Sequence, residues 1–274
     1  MKLPFESTIR ELELAVRAAS EAGKAVSKIY DEKVSSILKS DNEPLTEADI
    51  QSNEIIQKIL SSSDHPILSE ESPDDKSRLN KKKIWVVDPL DGTNDFINKT
   101  GEFTIMIALV ENRKPLLGII YWPIMGILYL AQKGQGAFQL NDGNWERLLV
   151  SGNTRLEKCS AVGSRFHISD IERDFLKQLK VNKFISRGSS LKVVDICAGL
   201  ADLYFTTTSK IKHWDTCASY CLITEAGGKI TDMFGNDLEY NTELLNHQNG
   251  ILVTNGLIHD KVVSAYEQFL QDRN

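Results

Sequence analysis

Apolar residues recur at helical spacing over the first part of the chain. They follow a capping-box pattern at Thr8 and Glu11 and continue as far as Tyr30. The pattern predicts a long amphipathic helix that is capped by Thr8. A second helix is predicted from about Thr46, and the polar run that starts at Ser61 ends it.

The pattern changes at Ile67 to short runs rich in β-branched residues, which are typical of strands. Six such runs are predicted to form one sheet: 66–68, 84–87, 103–110, 116–121, 127–131 and 137–140. Helices are then predicted near 169–179, 190–200, 216–226 and 257–269, and strands near 201–206 and 251–254. We expect two closely packed halves, an α+β half over residues 1–150 and an α/β half over 151–274.

Residues 115–131 carry no charge, which raises the question of a membrane span. The stretch is shorter than the roughly 20 residues that a spanning helix needs. It also contains Gly118 and Pro123, so two buried strands joined near Trp122 are expected instead. These apolar strands can be buried within a monomer or face a partner subunit, which leaves a homodimer open.

Composition narrows the class of protein. The 274 residues are 41% hydrophobic and 26% charged, with a formal net charge of −6. This acidic balance offers no basic surface for the phosphates of a nucleic-acid polymer. The amino terminus lacks an apolar signal region, so a cytoplasmic protein is expected, with peripheral association at the inner face of the membrane left open. The four cysteines lack C-x-x-C spacing and are expected to be small buried hydrophobes.

One segment carries the strongest chemical signal, and it reads WVVDPLDGTNDF over residues 85–96. A buried strand ends in Asp88, and Asp91 follows three residues later across a turn. Two carboxylates in this arrangement, with the Leu90 carbonyl between them, suit hard cations such as Mg²⁺. Gly92 lets backbone N–H groups approach an anion where a helix begins. The segment therefore predicts a metal site beside a phosphate site.

Two further acidic segments are weak signals when taken alone. Glu70 lies in LSEES at 68–72, and Asp215 lies in HWDTCA at 213–218. Paired glutamates are usually solvated, and a single aspartate at a helix start is usually an N-cap. Two carboxylates about 4 Å apart repel by roughly 1 kcal/mol in water and about 4 kcal/mol at an effective dielectric of 20. Acids that converge in a fold therefore imply bound cations.

Together these segments resemble a known family. DPLDGT at 88–93, SEE at 69–71 and WDTCA at 214–218 resemble the signatures of the inositol monophosphatase superfamily of Mg²⁺-dependent, lithium-sensitive phosphatases. The resemblance covers essentially the whole chain and implies a layered αβαβα sandwich. Within the superfamily, the bacterial 3'(2'),5'-bisphosphate nucleotidases are most similar, on the segments GEFT at 101–104, GIIYWP at 118–123 and GSSLK at 188–192.

The resemblance also implies residue roles. The implied metal ligands, for two or three Mg²⁺ ions, are Glu70, Asp88, the Leu90 carbonyl, Asp91 and Asp215, with Asp88 bridging two ions. Asp49 is implied to orient Thr93, and this pair with Glu70 is implied to position the attacking water. The implied substrate contacts are Glu70, Leu90, Asp91, Gly92, Thr93, Ser190, Lys192 and Asp215.

The implied reaction is hydrolysis of the 3'(2')-phosphate of adenosine 3'(2'),5'-bisphosphate to AMP and phosphate, by in-line attack of a metal-activated water. Two alternatives stay open. One keeps the chemistry and takes an inositol or sugar monophosphate; the other is a non-enzymatic, metal-dependent nucleotide-binding regulator. Ser190 and Lys192 favour the nucleotide, and Asp49 with Thr93 favours an enzyme, because a binding protein needs no pair to orient water.

The chain departs from many bacterial bisphosphate nucleotidases in one place. Those proteins carry PR and GPT before the WD pair, whereas residues 205–213 here are FTTTSKIKH. Lys192, Lys210 and Lys212 can supply charge for a second phosphate. The proposed chemistry requires no histidine, and His213 is expected to be structural or to lie at the substrate rim.

Overall fold

The computed structural model describes residues 3–32, 36–39, 44–166 and 168–273. The helices of this part of the chain are α1 (Arg10–Tyr30), α2 (Glu47–Leu60), α3 (Thr93–Ile97), α4 (Asp170–Leu179), α5 (Leu191–Cys197), α6 (His213–Glu225) and α7 (His259–Gln271). The first nine strands are β1 (Ser36–Leu38), β2 (Pro44–Thr46), β3 (Ile67–Ser69), β4 (Lys83–Asp91), β5 (Thr104–Glu111), β6 (Lys114–Trp122), β7 (Ile127–Gln132), β8 (Gly136–Asn141) and β9 (Asn144–Arg147). The others are β10 (Ser160–Gly163), β11 (Lys183–Ser186), β12 (Leu203–Thr206), β13 (Lys229–Thr231) and β14 (Ile251–Thr254).

The strands form two large sheets and one small hairpin. The larger sheet has seven strands in the order β3-β4-β5-β6-β7-β8-β9, and only β3 and β4 run parallel in it. The smaller sheet has five strands in the order β11-β10-β12-β14-β13, with β10 parallel to both of its neighbours. Strands β1 and β2 pair with each other as an antiparallel hairpin.

The strand periodicity explains the layers. Along β4, Trp85 and Val87 join the core under α1 and α2, while Val86 points into the core that contains α5 and α6. That second core also takes Ile230 and Ile251 from the five-stranded sheet. On the far side of this sheet, a third core contains residues of α4 and α7. The order is helices, sheet, helices, sheet, helices, which confirms the predicted αβαβα sandwich.

The predicted start of α2 is confirmed, and the predicted cap of α1 is wrong. Thr46 caps α2 with its side chain, and Asp49 completes a capping box. The prediction that Thr8 caps the first helix is wrong, because α1 begins at Arg10 with Ile9 as an N-cap that makes no side-chain bond. The amide of Gln132 on β7 accepts a hydrogen bond from the Ile9 N–H at 3.3 Å and donates to the Ser7 carbonyl at 2.9 Å. The sheet therefore fixes the start of α1.

The uncharged stretch forms β6 and β7, as predicted, with the turn just after Trp122. No helix within the described ranges is long and apolar enough to span a membrane. All four cysteines are buried and free, as expected. The sequence patterns missed β1, β2, β9, β10, β11 and β13, which are short and mix polar with apolar residues. The equally short β12 and β14 were predicted because they lie in largely apolar runs. The helix expected near residue 216 begins three residues earlier, at His213.

Helix α6 lies close to the seven-stranded sheet at Gly118, and this contact generates a prediction. A Cβ at Gly118 would lie 2.5 Å from the Ala218 carbonyl oxygen. We expect Gly118→Ala to lower the free energy of unfolding by about 1–3 kcal/mol, measured by urea denaturation, because α6 must move away from β6. Gly152→Ala is the matched control, since a Cβ there would meet nothing within 4 Å. Equal stability of the two variants would contradict this account.

Candidate active site

A β-bulge in β4 brings two aspartates to one side of the sheet. In a regular strand, residues three apart face opposite sides. Here Asp88 pairs with Met106 and Asp91 pairs with Thr104, so β4 contains one extra residue between the two pairs. Leu90 consequently turns into the core under α1 and α2, and both aspartates line the same cavity.

The bulge leaves the Pro89 carbonyl without a ladder partner. The hydroxyl of Ser52, on α2, donates a hydrogen bond to it at 2.6 Å. The backbone N–H of Leu90 donates to Asp88 Oδ1 at 3.0 Å. The extra residue is therefore held by polar contacts on both sides, which fixes where the Asp88 carboxylate points.

Three carboxylates from separate elements meet at this point. Glu70 directly follows β3, and its N–H donates to the Val87 carbonyl at 3.2 Å. Asp215 lies in the first turn of α6, where its Oδ2 accepts from the Lys212 N–H at 2.6 Å. Oxygens of Glu70, Asp88 and Asp215 all lie within 4.8 Å of one another.

Electrostatics makes this cluster costly without counter-charge. Burial raises the pKa of Asp88 well above its usual value, and the charges of Glu70, Asp91 and Asp215 raise it further. Burial and the charge of Glu70 likewise raise the pKa of Asp215. Hard oxygen donors that repel one another when ionised are the ligands that Mg²⁺ prefers, so the donor set fits divalent cations.

Asp91 stands beside this triangle. Its Oδ2 accepts hydrogen bonds from the Ser190 N–H and, at 3.4 Å, from the Thr104 hydroxyl. Burial raises the pKa of Asp91, and the charge of Lys192 opposes that rise. The carbonyl oxygen of Leu90 lies 3.3 Å from the hydroxyl oxygen of Thr93.

The turn after Asp91 is built around glycine. Gly92 has a φ of 92° and is the N-cap of α3. A Cβ there would lie 3.1 Å from Ser189 Cβ and 3.2 Å from the Glu102 carbonyl oxygen. Glycine is thus required by both conformation and space, and it sets the position of Thr93.

Thr93 and Asp49 form a hydrogen-bonded pair. The Thr93 hydroxyl donates to Asp49 Oδ1 at 3.1 Å. The other carboxylate oxygen accepts from the N–H and the hydroxyl of Thr46, at 2.7 and 2.6 Å. Burial raises the pKa of Asp49, against the effect of these hydrogen bonds. The capping box of α2 thereby holds Asp49 in place for Thr93.

The sequence-predicted substrate residues of the second half line the same cavity. The hydroxyls of Ser190 and Thr104 are 2.7 Å apart. Lys192 is buried, donates to the Ser189 carbonyl at 2.6 Å, and has its Nζ 5.3 Å from the centroid of the Tyr204 ring. Burial lowers the pKa of Lys192, although Asp91 counteracts that shift.

The other candidates, Lys210, Lys212 and His213, lie in three different environments. Lys210 lines the cavity and is exposed. The Nζ of Lys212 instead lies 5.3 Å from the centroid of the Trp214 ring. His213 is buried against Tyr240, and burial lowers its pKa to about 3. Its position agrees with the expectation of a structural role.

The whole cavity has a volume of about 610 Å³, and its lining contains two groups of side chains from different elements. The acidic end is lined by Glu70, Asp88, Asp91, Thr93 and Asp215. The second group, which we call the apolar lobe, is lined by Val162, Ile171, Leu176, Phe184 and Phe205, with the hydrogen-bonded pair of Glu172 and Thr206 beside them. A ligand that fills this space meets anionic groups from one set of elements and a largely apolar surface from the other.

Sequence reasoning missed several charged neighbours of the site. Lys39 contacts Glu70 at 3.0 Å. Arg165 contacts Asp95 and Glu102, and Arg187 contacts Glu102 and Asp195. Most of these partners are far apart in the sequence, and no local spacing pattern marks such pairs. Among the neighbours of the site described above, only Thr46 and Asp49 could have been found from a local sequence pattern, because they form a capping box.

Comparisons with known proteins agree on one family. A model of the inositol monophosphatase family matches residues 10–271. The chain is 36% identical over 236 residues to the 3'(2'),5'-bisphosphate nucleotidase CysQ of Escherichia coli K12, a match that covers 84% of this chain and 93% of the relative. The crystal structure of CysQ from Bacteroides thetaiotaomicron is 34% identical, with a TM-score of 0.77 and coverage of 89% and 96%. The extragenic suppressor protein suhB of Bartonella henselae is 28% identical, with a TM-score of 0.83 and coverage of 95% and 99%.

The raised carboxyl pKa values predict how stability depends on pH in EDTA. A carboxyl whose pKa is higher in the folded than in the unfolded protein gains protons on folding, so stability falls as pH rises through that interval. Asp88→Asn keeps an oxygen for the Leu90 N–H and removes a repelled charge. We expect it to raise the free energy of unfolding by about 1–2 kcal/mol near pH 7, and to weaken the fall in stability as pH rises above the ordinary titration range of an aspartate.

Urea denaturation in EDTA measures both effects, with the exposed Asp142→Asn as the control that changes neither. Mg²⁺ is expected to stabilise the wild-type protein more than Asp88→Asn, because only the wild type keeps all three clustered carboxylates. Lower stability of Asp88→Asn than of the wild type in EDTA would show that the cluster is not strained by repulsion.

Proposed function

The chain belongs to the inositol monophosphatase family, and from this premise we propose that it hydrolyses the 3'(2')-phosphate of adenosine 3'(2'),5'-bisphosphate, releasing AMP and phosphate. The family is metal-dependent, and the acidic end of the cavity provides oxygen ligands for Mg²⁺. The proposed class of substrate follows from the name of the related CysQ protein, which is a 3'(2'),5'-bisphosphate nucleotidase. The observation in this chain that carries the proposal is a single cavity with an acidic end and an apolar lobe.

The acidic end provides the chemical step in this proposal. Glu70, Asp88, the Leu90 carbonyl, Asp91 and Asp215 would hold divalent cations, which when bound would neutralise phosphate charge and lower the pKa of water. The chain's own residues then position the nucleophile.

The Thr93 hydroxyl provides that positioning. Because Thr93 donates its hydrogen to Asp49, its oxygen is left as a hydrogen-bond acceptor. A water molecule that donates to this oxygen has a fixed orientation, since Thr46 in turn holds Asp49. In this proposal Glu70, next to the same space, fixes the water from the other side. Proton acceptance falls to the pair of Thr93 and Asp49.

The apolar lobe favours a nucleotide over an inositol phosphate. A purine binds against hydrocarbon and aromatic surfaces, whereas a polyol needs polar partners for its hydroxyls. Phe184 lies on the edge strand β11 and is 42% exposed. A Cβ at residue 163 would lie 2.7 Å from the Phe184 ring, so Gly163 makes room for that ring. We assign Phe184 as a surface for the base.

The second phosphate requires a cation outside the metal site. Lys192 lies inside the cavity and Lys210 lies on its wall, in the segment where the chain departs from many bisphosphate nucleotidases. Thr207 and Thr208, which carry hydroxyl groups, also line the cavity. We propose Lys192 and Lys210 as the partners of this phosphate, while Lys212 takes no part.

The proposed role of Thr93 predicts a specific kinetic defect. Thr93→Ala is expected to lower kcat by about 100-fold or more and to change KM by less than about fivefold, because water is oriented chiefly in the transition state. Phosphate release measured over a range of substrate concentrations separates the two constants. Thr154→Ala, at an exposed position, is the control. A wild-type kcat in Thr93→Ala would remove the pair of Thr93 and Asp49 from the mechanism.

The proposed substrate is tested by comparing phosphate release from adenosine 3',5'-bisphosphate and inositol 1-phosphate in Mg²⁺. We expect kcat/KM to be at least about 100-fold higher for the nucleotide, which corresponds to about 2.7 kcal/mol of discrimination. A preference for inositol phosphate would keep the metal chemistry and reject the nucleotide. Absence of release from both would favour the non-enzymatic binding protein.

The lobe contributes to the same comparison through Phe184. Phe184→Ala is expected to lower kcat/KM for the nucleotide by about 10-fold or more and to leave inositol 1-phosphate unchanged, because loss of stacking costs about 1–3 kcal/mol. Phe234→Ala is the matched control, since Phe234 is also 42% exposed but does not line the cavity. An equal loss for both substrates would mean that Phe184 acts through the fold.

A further inference from the structure

Lys39 contacts the acidic end of the cavity from outside its lining. It follows strand β1, and its ammonium donates to Glu70 Oε1 at 3.0 Å and also to Glu71 Oε1. The three side chains are 19%, 17% and 10% exposed, respectively. This ion pair is therefore much better shielded from water than an ordinary surface pair, and its charges interact more strongly.

The same carboxylate belongs to two different groups of charges. Glu70 contributes an oxygen to the cluster with Asp88 and Asp215, whose members lie within 4.8 Å of one another. It also accepts from Lys39. An ammonium and a divalent cation at one carboxylate repel each other, so each lowers the affinity of Glu70 for the other.

Glu71 gives the lysine a second partner. Its Oε1 is in contact with the ammonium at the same time as Glu70 Oε1. When a cation binds Glu70 and weakens the ion pair between Lys39 and Glu70, Lys39 can keep its hydrogen bond to Glu71 and so remains paired with a carboxylate. The exchange is therefore cheaper than breaking an isolated, shielded ion pair.

We propose that Lys39 is a built-in competitor for the cation at Glu70, and that it sets the divalent-cation concentration at which this site fills. The inference rests on the proposed metal site and goes beyond the proposed reaction. Lys39 acts here as a positioning residue that works through Glu70, with Glu71 as the partner that retains it.

Mn²⁺ binding tests this role without any substrate. Free Mn²⁺ is counted by its electron paramagnetic resonance signal while the protein is titrated. In Lys39→Met, the Mn²⁺ site that changes most is expected to bind about 10-fold more tightly than in the wild type, because the positive charge is removed. Lys39→Arg keeps that charge, so its Mn²⁺ affinity is expected to stay within about threefold of the wild-type value. Lys24→Met is the matched control, since Lys24 also pairs with a glutamate, at 2.7 Å, but is 70% exposed.

Glu71→Gln provides a second variant that acts through the same lysine. It leaves Glu70 as the main acceptor for Lys39, so Mn²⁺ affinity is expected to fall. In the Lys39→Met background the same substitution is expected to have an effect at least about threefold smaller, which makes a double-mutant cycle.

Three results would overturn the role of Lys39. They are unchanged or weaker Mn²⁺ binding in Lys39→Met, tighter binding in Lys24→Met of the same size, and an effect of Glu71→Gln that does not depend on Lys39. No Mn²⁺ binding by the wild type would overturn the metal site together with the inference. Loss of nucleotide hydrolysis with the expected Mn²⁺ pattern would reject the proposed substrate and support Lys39.

Discussion

Repulsion among one buried and two half-buried carboxylates is the constraint around which this protein is arranged. Glu70 and Asp88 come from neighbouring parallel strands of one sheet, and Asp215 comes from a helix that packs against the same sheet. Their oxygens lie within 4.8 Å of one another. The rest of the fold holds these groups together against their charge, and in the proposed function cations would offset that repulsion.

The neighbouring groups divide this task. Ser52 and the Leu90 N–H hold the bulge, and the capping box of α2 holds Asp49 for Thr93. Ion pairs of Arg165 and Arg187 with Glu102 link residues before and after position 150 close to the cavity. One of these contacts, the hydrogen bond from the Leu90 N–H to Asp88, holds an acid of the cluster directly, and the others hold groups beside the cluster. The geometry of the acids is therefore set by neighbours whose substitution would not change the net charge of the cluster.

Sequence reasoning reached the parts of the structure that local patterns encode. Hydrophobic periodicity located α1, α2 and the strands from β4 to β8, and the family resemblance supplied the layers. The segment from Asp88 to Thr93 was readable because strand, turn and helix start are contiguous there. The convergence of Glu70 with Asp88 and Asp215 was implied by the family resemblance, and the chemistry of the acids adds only that such a cluster needs cations.

The features that the sequence did not predict depend on contacts between residues that are far apart in the chain. Strands β10, β11 and β13 are short and mix polar with apolar residues, so no local pattern marks them, and neighbouring strands complete their hydrogen bonds. The start of α1 is set by Gln132, more than one hundred residues away. Lys39 is likewise paired across the fold with Glu70, and no spacing rule connects the two.

The bulge in β4 makes the number of residues more important than their type. Pro89 and Leu90 contribute one extra position that shifts Asp91 to the cavity side, and neither side chain is a carboxylate. A replacement at either position that keeps the backbone path leaves both aspartates facing the cavity. Regular pairing of the same residues, without the bulge, would turn Asp91 toward α1 and α2. Loss of one residue would instead put the two aspartates two positions apart on the cavity side and remove the bulge that turns Leu90 into the core. The bulge and the number of residues between the two aspartates are therefore matched to each other, and an insertion or deletion there changes the candidate site in a way that a substitution does not.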